Sequence, residues 1–431
     1  MGIITALIAL SVLIIIHELG HFLMAKAVGI KVLEFSLFMG PKIFSFKKGE
    51  TVYSLRLIPM GGFVRMEGEE ESSNDPRAYS NQPVGKRALV IAAGPVMNLV
   101  AAFVFAIIVI SNSGFHTNTI SEFFTDSVIE KAGAEVGDKF ISYGGRRLFD
   151  PVTDLSIFMY GEDGSERELI YYDVSENKTV TKIITPGRTE TRFRLGFTAR
   201  VEDGKGTNVI DMIETDSPLV KAGIKRGDRI IKLDDTEVSS VPDIQNYLNI
   251  ARADKSAPLI ITVERNGKVL TFENIKPFSD FQYTLAVNLE YKKGNFFEVM
   301  GASFKYCVST ARNVLITLKW LFNGTISIKE LSGPVGIIGA VGSVVETQKS
   351  FSQIILNLIY ISSFISINLG IMNLVPFPAL DGSMLLILLI EKIRGKPIPQ
   401  EKVGMISFVG FILLMGVLVI TLFNDIPRWL L

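Results

Sequence analysis

Histidine and cysteine are nearly missing from this chain: 431 residues contain three of the first and one of the second. A lone Cys307 excludes an internal disulfide and any cysteine-based zinc site, so packing alone must stabilise whatever lies outside the cytoplasm. Net charge is absent too. Lysine and arginine number 44 against 44 aspartates and glutamates, which removes the basic field that nucleic acid or an anionic surface would need. What the chain has in excess is apolar surface, at 48% hydrophobic residues with a positive mean hydropathy. One soluble domain has no use for that much of it, and a lipid bilayer is the expected partner.

Four apolar stretches reach membrane length, at about 3–25, 88–111, 352–390 and 403–423. The first could be mistaken for a signal peptide, but no basic region precedes residues 3–16 and no small-residue cleavage site follows them. HELGH runs straight into FLMA instead, so the segment reads as a permanent span. The third stretch is too long for one straight helix and lacks a polar turn for two. Asn373, Pro376 and Pro378 interrupt it, and proline both lacks an amide donor and disfavours helix in the residue before it. NLVPFP is therefore expected to be an unwound segment within one oblique span, tolerable only where protein or a wet cavity satisfies its backbone. The loop between the first two spans carries Lys26, Lys31, Lys42, Lys47, Lys48, Arg56, Arg65, Lys86 and Arg87, and the loop before the last carries Lys392, Arg394, Lys396 and Lys402. The excess of positive charge places both loops in the cytoplasm. Four spans then put the termini and residues 112–351 on the other side.

The long extracytoplasmic region repeats itself at an offset of 90 residues. Asp126-Ser127, Lys131-Ala132-Gly133, Gly137-Asp138 and Ile141 recur as Asp216-Ser217, Lys221-Ala222-Gly223, Gly227-Asp228 and Ile231. The second copy, SPLVKAGIKRGDRIIKLDDTEV, places a short helix before a glycine turn and then strands. It resembles the carboxylate-proximal helix and GD turn of a PDZ domain, and the first copy is more divergent. In the first loop, Tyr53, Leu55 and Leu57 alternate with Ser54 and Arg56, and Lys48-Gly49-Glu50 supplies a turn, so a membrane-associated β-hairpin is expected. Residues 294–325 and 331–345 mix apolar and polar positions in the manner of helices lying in the membrane interface.

His17-Glu18-Leu19-Gly20-His21 sets two imidazoles one helical turn apart on one face, where both reach a single cation. Burying them with Glu18 in an apolar helix is costly unless they are paired or metal-bound, so function is the default assignment. His116 lies past the second span and reads as an ordinary surface residue. A catalytic zinc takes three protein ligands and keeps one position open. The third should be a carboxylate, and Asp381, in an otherwise uncharged apolar run after the NLVPFPAL break, is the best placed. Its competing role is the N-cap of the half-helix SMLLILLIEKI.

With HELGH in the first span and NLVPFPALDG in the third, the chain resembles the site-2 protease family of intramembrane metalloproteases, in particular the bacterial branch with PDZ domains, the regulator of sigma-E protease type. GPKIFSF, IPMGGFVRMEGE, AGPVMN (Ala93 to Asn98) and LSGPVGI (Leu331 to Ile337) extend the resemblance over nearly the whole chain. It implies Zn2+ held by His17, His21 and Asp381, with Glu18 as catalytic acid and base. It also implies that the first-loop hairpin, at Gly61 and Gly62, pairs with the substrate strand and that Asn373 and Pro376 help hold it. Substrates would be single-span membrane proteins such as anti-sigma factors, or signal-peptide remnants.

The expected fold is thus a polytopic α-helical membrane protein of the plasma (inner) membrane, with four transmembrane helices, a membrane-associated β-hairpin and two inserted PDZ-like β-rich domains. Its expected divisions are 1–111, 112–200, 201–285, 286–350 and 351–431. A non-catalytic PDZ scaffold and a metal transporter compete with the protease. Intact HExxH with Asp381 argues against the scaffold, and a transporter would need neither Glu18 beside the ligands nor large extracytoplasmic domains.

Overall fold

An apolar run enters lipid only if its backbone pairs within itself, and α1 (Gly2–Ala27) and α2 (Val84–Ser113) meet that condition as two long helices. They cross at a glycine: a Cβ on Gly20 would lie 2.3 Å from the Ala93 carbonyl oxygen, so the backbones touch. Between them lie β1 (Val32–Lys48) and β2 (Thr51–Met66), joined by the expected turn at Gly49. The pairing is richer than the simple hairpin expected from the sequence. Phe35 pairs with Val64 on one side and Tyr53 on the other, while Phe46 pairs with Tyr53 from beyond. Each strand therefore contributes twice to a sheet whose order is 62–66, 32–37, 52–55, 44–48. Positive φ at Phe38 (67°) and Gly40 (83°) bends β1 back on itself and makes the second pass possible. Aromatic rings run outward across one face, from Phe22 of α1 to Phe35, Tyr53, Phe46 and Phe44.

The structure is a computed structural model that describes every residue except 1, 70, 72, 203–204, 215–216, 328–330, 332, 348–349 and 430–431. Asp216 of the repeat lies outside the described residues. After α2 come two β-rich units with matching parts. The first holds α3 (Val128–Lys131) and α4 (Pro151–Tyr160), the second α5 (Pro218–Ala222) and α6 (Val241–Asn246). In each, a glycine at positive φ (Gly137, 103°; Gly227, 86°) makes a turn. The next aspartate fastens it, Asp138 accepting from the Glu135 amide and Asp228 from that of Lys225. The first sheet has strand order 287–292, 115–123, 139–143, 167–173, 178–184, and the second 197–202, 205–213, 229–233, 259–265, 268–275.

That order corrects the expected boundaries at 200 and 285. The strand at 197–202 straddles the first boundary, and the edge strand of the first unit, 287–292, comes from beyond the second. The second unit is thus inserted into the first. A tandem boundary drawn from an offset repeat overlooks a strand that reaches its sheet from the far side of an insertion. Short ladders at 187–188 with 283–284 and 192–194 with 278–280 form the stalk between the two units.

The chain then returns through α7 (Phe296–Asn323), opened by an Asn295/Glu298 capping box, and α8 (Pro334–Thr347), which packs on α1. α7 is bolted to α4: Arg312 reaches Asp154 at 2.5 Å, Asn313 Nδ2 donates to Thr153 O, and the Asp150 amide donates to Ser309 Oγ. The third apolar stretch divides into α9 (Phe351–Leu374) and α10 (Asp381–Arg394), and α11 (Gln400–Trp429) follows. This refines the expected span 352–390: α9 alone is 24 residues and long enough to cross, while α10, at 14, is not. The break falls on 375–380, with Ala379 at φ 75°. Glycines admit it between helices, since a Cβ on Gly382 would sit 2.3 Å from Val375 O and one on Gly410 2.2 Å from Pro378 O. Among the described residues, four helices are long and apolar enough to cross a membrane: Ile4–Ala27, Val84–Ser113, Phe351–Leu374 and Gln400–Phe423. The chain is a multi-pass membrane protein.

Candidate metal centre

The i, i+4 spacing on α1 brings the two imidazoles together, with His17 Nε2 and His21 Nε2 3.1 Å apart. Asp381, the first residue of α10, directs Oδ2 between them, 3.1 Å from His17 Nε2 and 3.6 Å from His21 Nε2. That oxygen is buried and makes no hydrogen bond of acceptable geometry. A tetrahedral zinc with ligands at 2.0–2.1 Å separates its donors by about 3.3 Å, so the three atoms already lie near the edges such a site requires. Two imidazoles and a carboxylate also suit zinc chemically. Glu18 stands beside them rather than among them, its Oε2 accepting the Val64 amide of the sheet at 3.2 Å.

α2 supplies the other wall. His21 Nδ1 lies 2.8 Å from Val90 O, which leaves its Nε2 facing Asp381. Pro95, which has no N–H to offer the carbonyl four residues back, lies inside α2 at this level. A Cβ on Gly94 would stand 2.4 Å from His21 Nε2 and 2.8 Å from His17 Nε2, so only glycine lets the rings reach this position. Asn98, wholly buried, faces His17 with Nδ2 3.3 Å from Nδ1. Asp381 is carried by a helix seated on α2, and the pair Arg87–Glu391 (2.6 Å), its carboxylate buried, fixes the far end of α10, Glu391 also accepting the Ile398 amide.

The chain matches Peptidase family M50 over residues 5–417. It belongs to that family. Among curated relatives, the zinc metalloprotease RasP of Geobacillus kaustophilus is 32% identical, covering 100% of this chain and 99% of its own. RasP of Oceanobacillus iheyensis is also 32% identical, over 97% of each. The regulator of sigma-W protease RasP of Bacillus subtilis is 31% identical, over 99% of this chain and 98% of its own.

Within this M50 chain, His17, His21 and Asp381 meet although 360 residues separate the last two (381 − 21). His116 stays apart, half-buried, its ring 5.2 Å from that of Tyr291. Gly61 and Gly62 are buried where the sheet meets α1, the Cβ positions nearest Ile14 and Ser36 O respectively. Asn373 lies in the last turn of α9 and Pro376 lies exposed in the break. Residue-by-residue reading missed Gly94, Val90 and Asn98. The AGPVMN segment carried the only signal, a glycine and a proline inside an apolar helix, and pattern alone does not say which helix they face.

On the sheet, Glu34 is 3% exposed and gathers Ser54, Arg56, Lys42 and Arg65. Burial pushes its pKa up, but the hydrogen bonds from Ser54, Arg56 and Lys42 outweigh that and hold it at about 2. The ion cluster ties the sheet's segments together beside Val64, and so beside Glu18.

Proposed function

We propose that this chain is a zinc-dependent peptidase that cuts peptide bonds within or near the transmembrane segments of other membrane proteins, with His17, His21 and Asp381 as zinc ligands and Glu18 as catalytic acid and base. The observation that carries this is the convergence of three donor atoms within 3.1–3.6 Å beside a glutamate, two of them and the glutamate on a helix otherwise apolar enough to span lipid and the third at the start of α10. Its relatives' names, zinc metalloprotease and regulator of sigma-W protease, agree. When bound there, zinc supplies Lewis acidity, acidifying water and polarising a carbonyl.

The remaining work belongs to the chain's own groups. A transmembrane helix hides its carbonyls in its own hydrogen bonds and must unwind before hydrolysis. The strand at 62–66 is an edge of its sheet and lies against α1, so an extended substrate segment recovers backbone partners by adding to it. Gly61 and Gly62, packed against Ile14 and Ser36, begin the edge at which the substrate segment would pair. Asn373 and Pro376 would hold the other side of the segment near Asp381. Glu18 takes a proton from the attacking water and returns it to the leaving nitrogen.

The β-rich units, PDZ-like in their helix-and-turn repeat, carry no part of this chemistry and act as a size filter. A cavity of about 1960 Å³ runs from Tyr160 of the first unit and Tyr283 of the stalk past Tyr306 and Asn368 to Phe377 and Leu380, next to Asp381. A bulky extracytoplasmic domain collides with these units before its transmembrane helix gains the cavity. Substrates of this chemistry include anti-sigma factors already trimmed by another protease, and signal-peptide remnants. The basic loops support a site near the cytoplasmic side of the plasma membrane, with the β-rich units outside.

The test uses purified protein in nanodiscs with a trimmed single-span substrate, its products mapped by mass spectrometry. Scission inside or at the border of the apolar segment, absent with Glu18→Gln, is expected. Cleavage confined to soluble loops would contradict the assignment.

A further inference from the structure

The two histidines are oriented by different kinds of group. His21 Nδ1 meets the backbone carbonyl of Val90, which only accepts, so its proton is fixed on Nδ1 and its Nε2 offers a lone pair. His17 Nδ1 meets a side-chain amide, Asn98, which offers either a donor or an acceptor. In the structure Nδ2 is the nearer atom, at 3.3 Å, and Oδ1 is buried without any partner. A half-turn about the terminal torsion exchanges the two amide atoms at little steric cost and sends Oδ1 to His17.

The chemistry decides which arrangement a cation requires. If His17 Nε2 gives its lone pair to zinc, the neutral ring must carry its proton on Nδ1, and that proton needs an acceptor in a fully buried place. Asn98 Oδ1 is the acceptor within reach. Its helix is held for the purpose: Ser366 Oγ donates to Asn98 O at 2.8 Å and Ser363 Oγ to Ala102 O at 2.9 Å, tying α2 to α9 on either side of the next turn.

We infer that Asn98 is a positioning residue which, by turning its amide oxygen to His17 Nδ1–H, holds that ring in the tautomer that binds zinc. This rests on His17 being a ligand, as proposed above. It assigns to the Asn of AGPVMN a task that helix packing alone would not require.

The test measures zinc release from the full-length protein in detergent after adding excess chelator, with a zinc-responsive dye. Three variants separate the possibilities. Asn98→Leu keeps the bulk and has no acceptor, Asn98→Ala has no acceptor and cannot clash, and Asn98→Asp accepts but cannot donate. The expected result is release about 10–100-fold faster for Leu and Ala, and no faster than wild type for Asp. If Asp releases zinc as fast as Ala, an acceptor is not what His17 needs and the inference fails. It fails equally if Ala and Leu match wild type. A packing role would instead make Asp, with a buried charge, the worst of the three. Wild-type protein that holds no zinc would overturn the ligand set itself, and this role with it.

Discussion

Gly94→Ala adds one carbon to the molecule and should abolish the metal centre. The new Cβ would lie 2.4 Å from His21 Nε2 and 2.8 Å from His17 Nε2, where ordinary contact begins at 3.4 Å. Relief of the closer contact therefore needs a shift of about 1 Å (3.4 − 2.4) by ring or helix. Metal sites tolerate about 0.2 Å in ligand distance, and misplacing a reacting group by about 1 Å costs on the order of 100-fold in rate. Helix propensity runs the other way, favouring alanine by about 1 kcal/mol, against an overpacking cost of about 1–3 kcal/mol. The fold should survive while the site does not. Gly85→Ala, on the same helix with no atom within 4 Å of its Cβ, is the control. Retained zinc after dialysis against a chelator and cleavage of a transmembrane peptide are the two readouts. In Gly94→Ala zinc retention should be lost and cleavage should fall by about 100-fold or more, while both should stay at wild-type levels in Gly85→Ala. Wild-type zinc retention in Gly94→Ala would refute the account of how α2 abuts the histidines.

Excision of residues 195–277, closing the paired residues Arg194 and Phe278 with an Asn-Gly turn, removes the second β-rich unit and spares the first. Under the size filter, cleavage of an untrimmed substrate rises towards that of a trimmed one. Collapse of trimmed-substrate cleavage with zinc still bound would mean that the unit recruits substrate instead. For Glu34, the native pKa of about 2 lies below the ordinary 4.5, so its contribution to stability is whole above pH 4.5 and lost as pH falls towards 2. Wild type should therefore melt above Glu34→Gln at pH 6, with the gap closing across that window. A gap that does not change with pH would show that the ion cluster adds nothing.

The parts legible in the sequence were those written in contiguous residues. HELGH declared its own geometry because a helix fixes the i, i+4 relation, and Asp381 stood out as a charge where no other was affordable. The proline-rich break announced itself for the same reason. The repeat disclosed two like units, since glycine turns and their aspartate fasteners need particular residue types. Equally repeated, and overlooked, are Asn118, donating to Phe140 O and Leu148 O, and Asn208, donating to Ile230 O and Val238 O. What stayed hidden depends on crossings: the second pass of β1, the strand at 287–292 completing a sheet begun at 115, and the contact of Gly20 with Ala93 that brings Val90 and Asn98 to the histidines. No local pattern specifies which distant backbone an element will meet.

The division of labour at the centre is tested most directly by measuring zinc content and peptide hydrolysis on the same preparations of wild type, Glu18→Gln and Asp381→Asn. A carboxamide is a neutral and poorer ligand than a carboxylate, whereas Glu18 lies beside the three converging donors and bonds the Val64 amide. Glu18→Gln should keep its zinc and lose hydrolysis, and Asp381→Asn should lose both. Equal zinc loss in the two variants, or hydrolysis persisting in Glu18→Gln, would contradict the assignment.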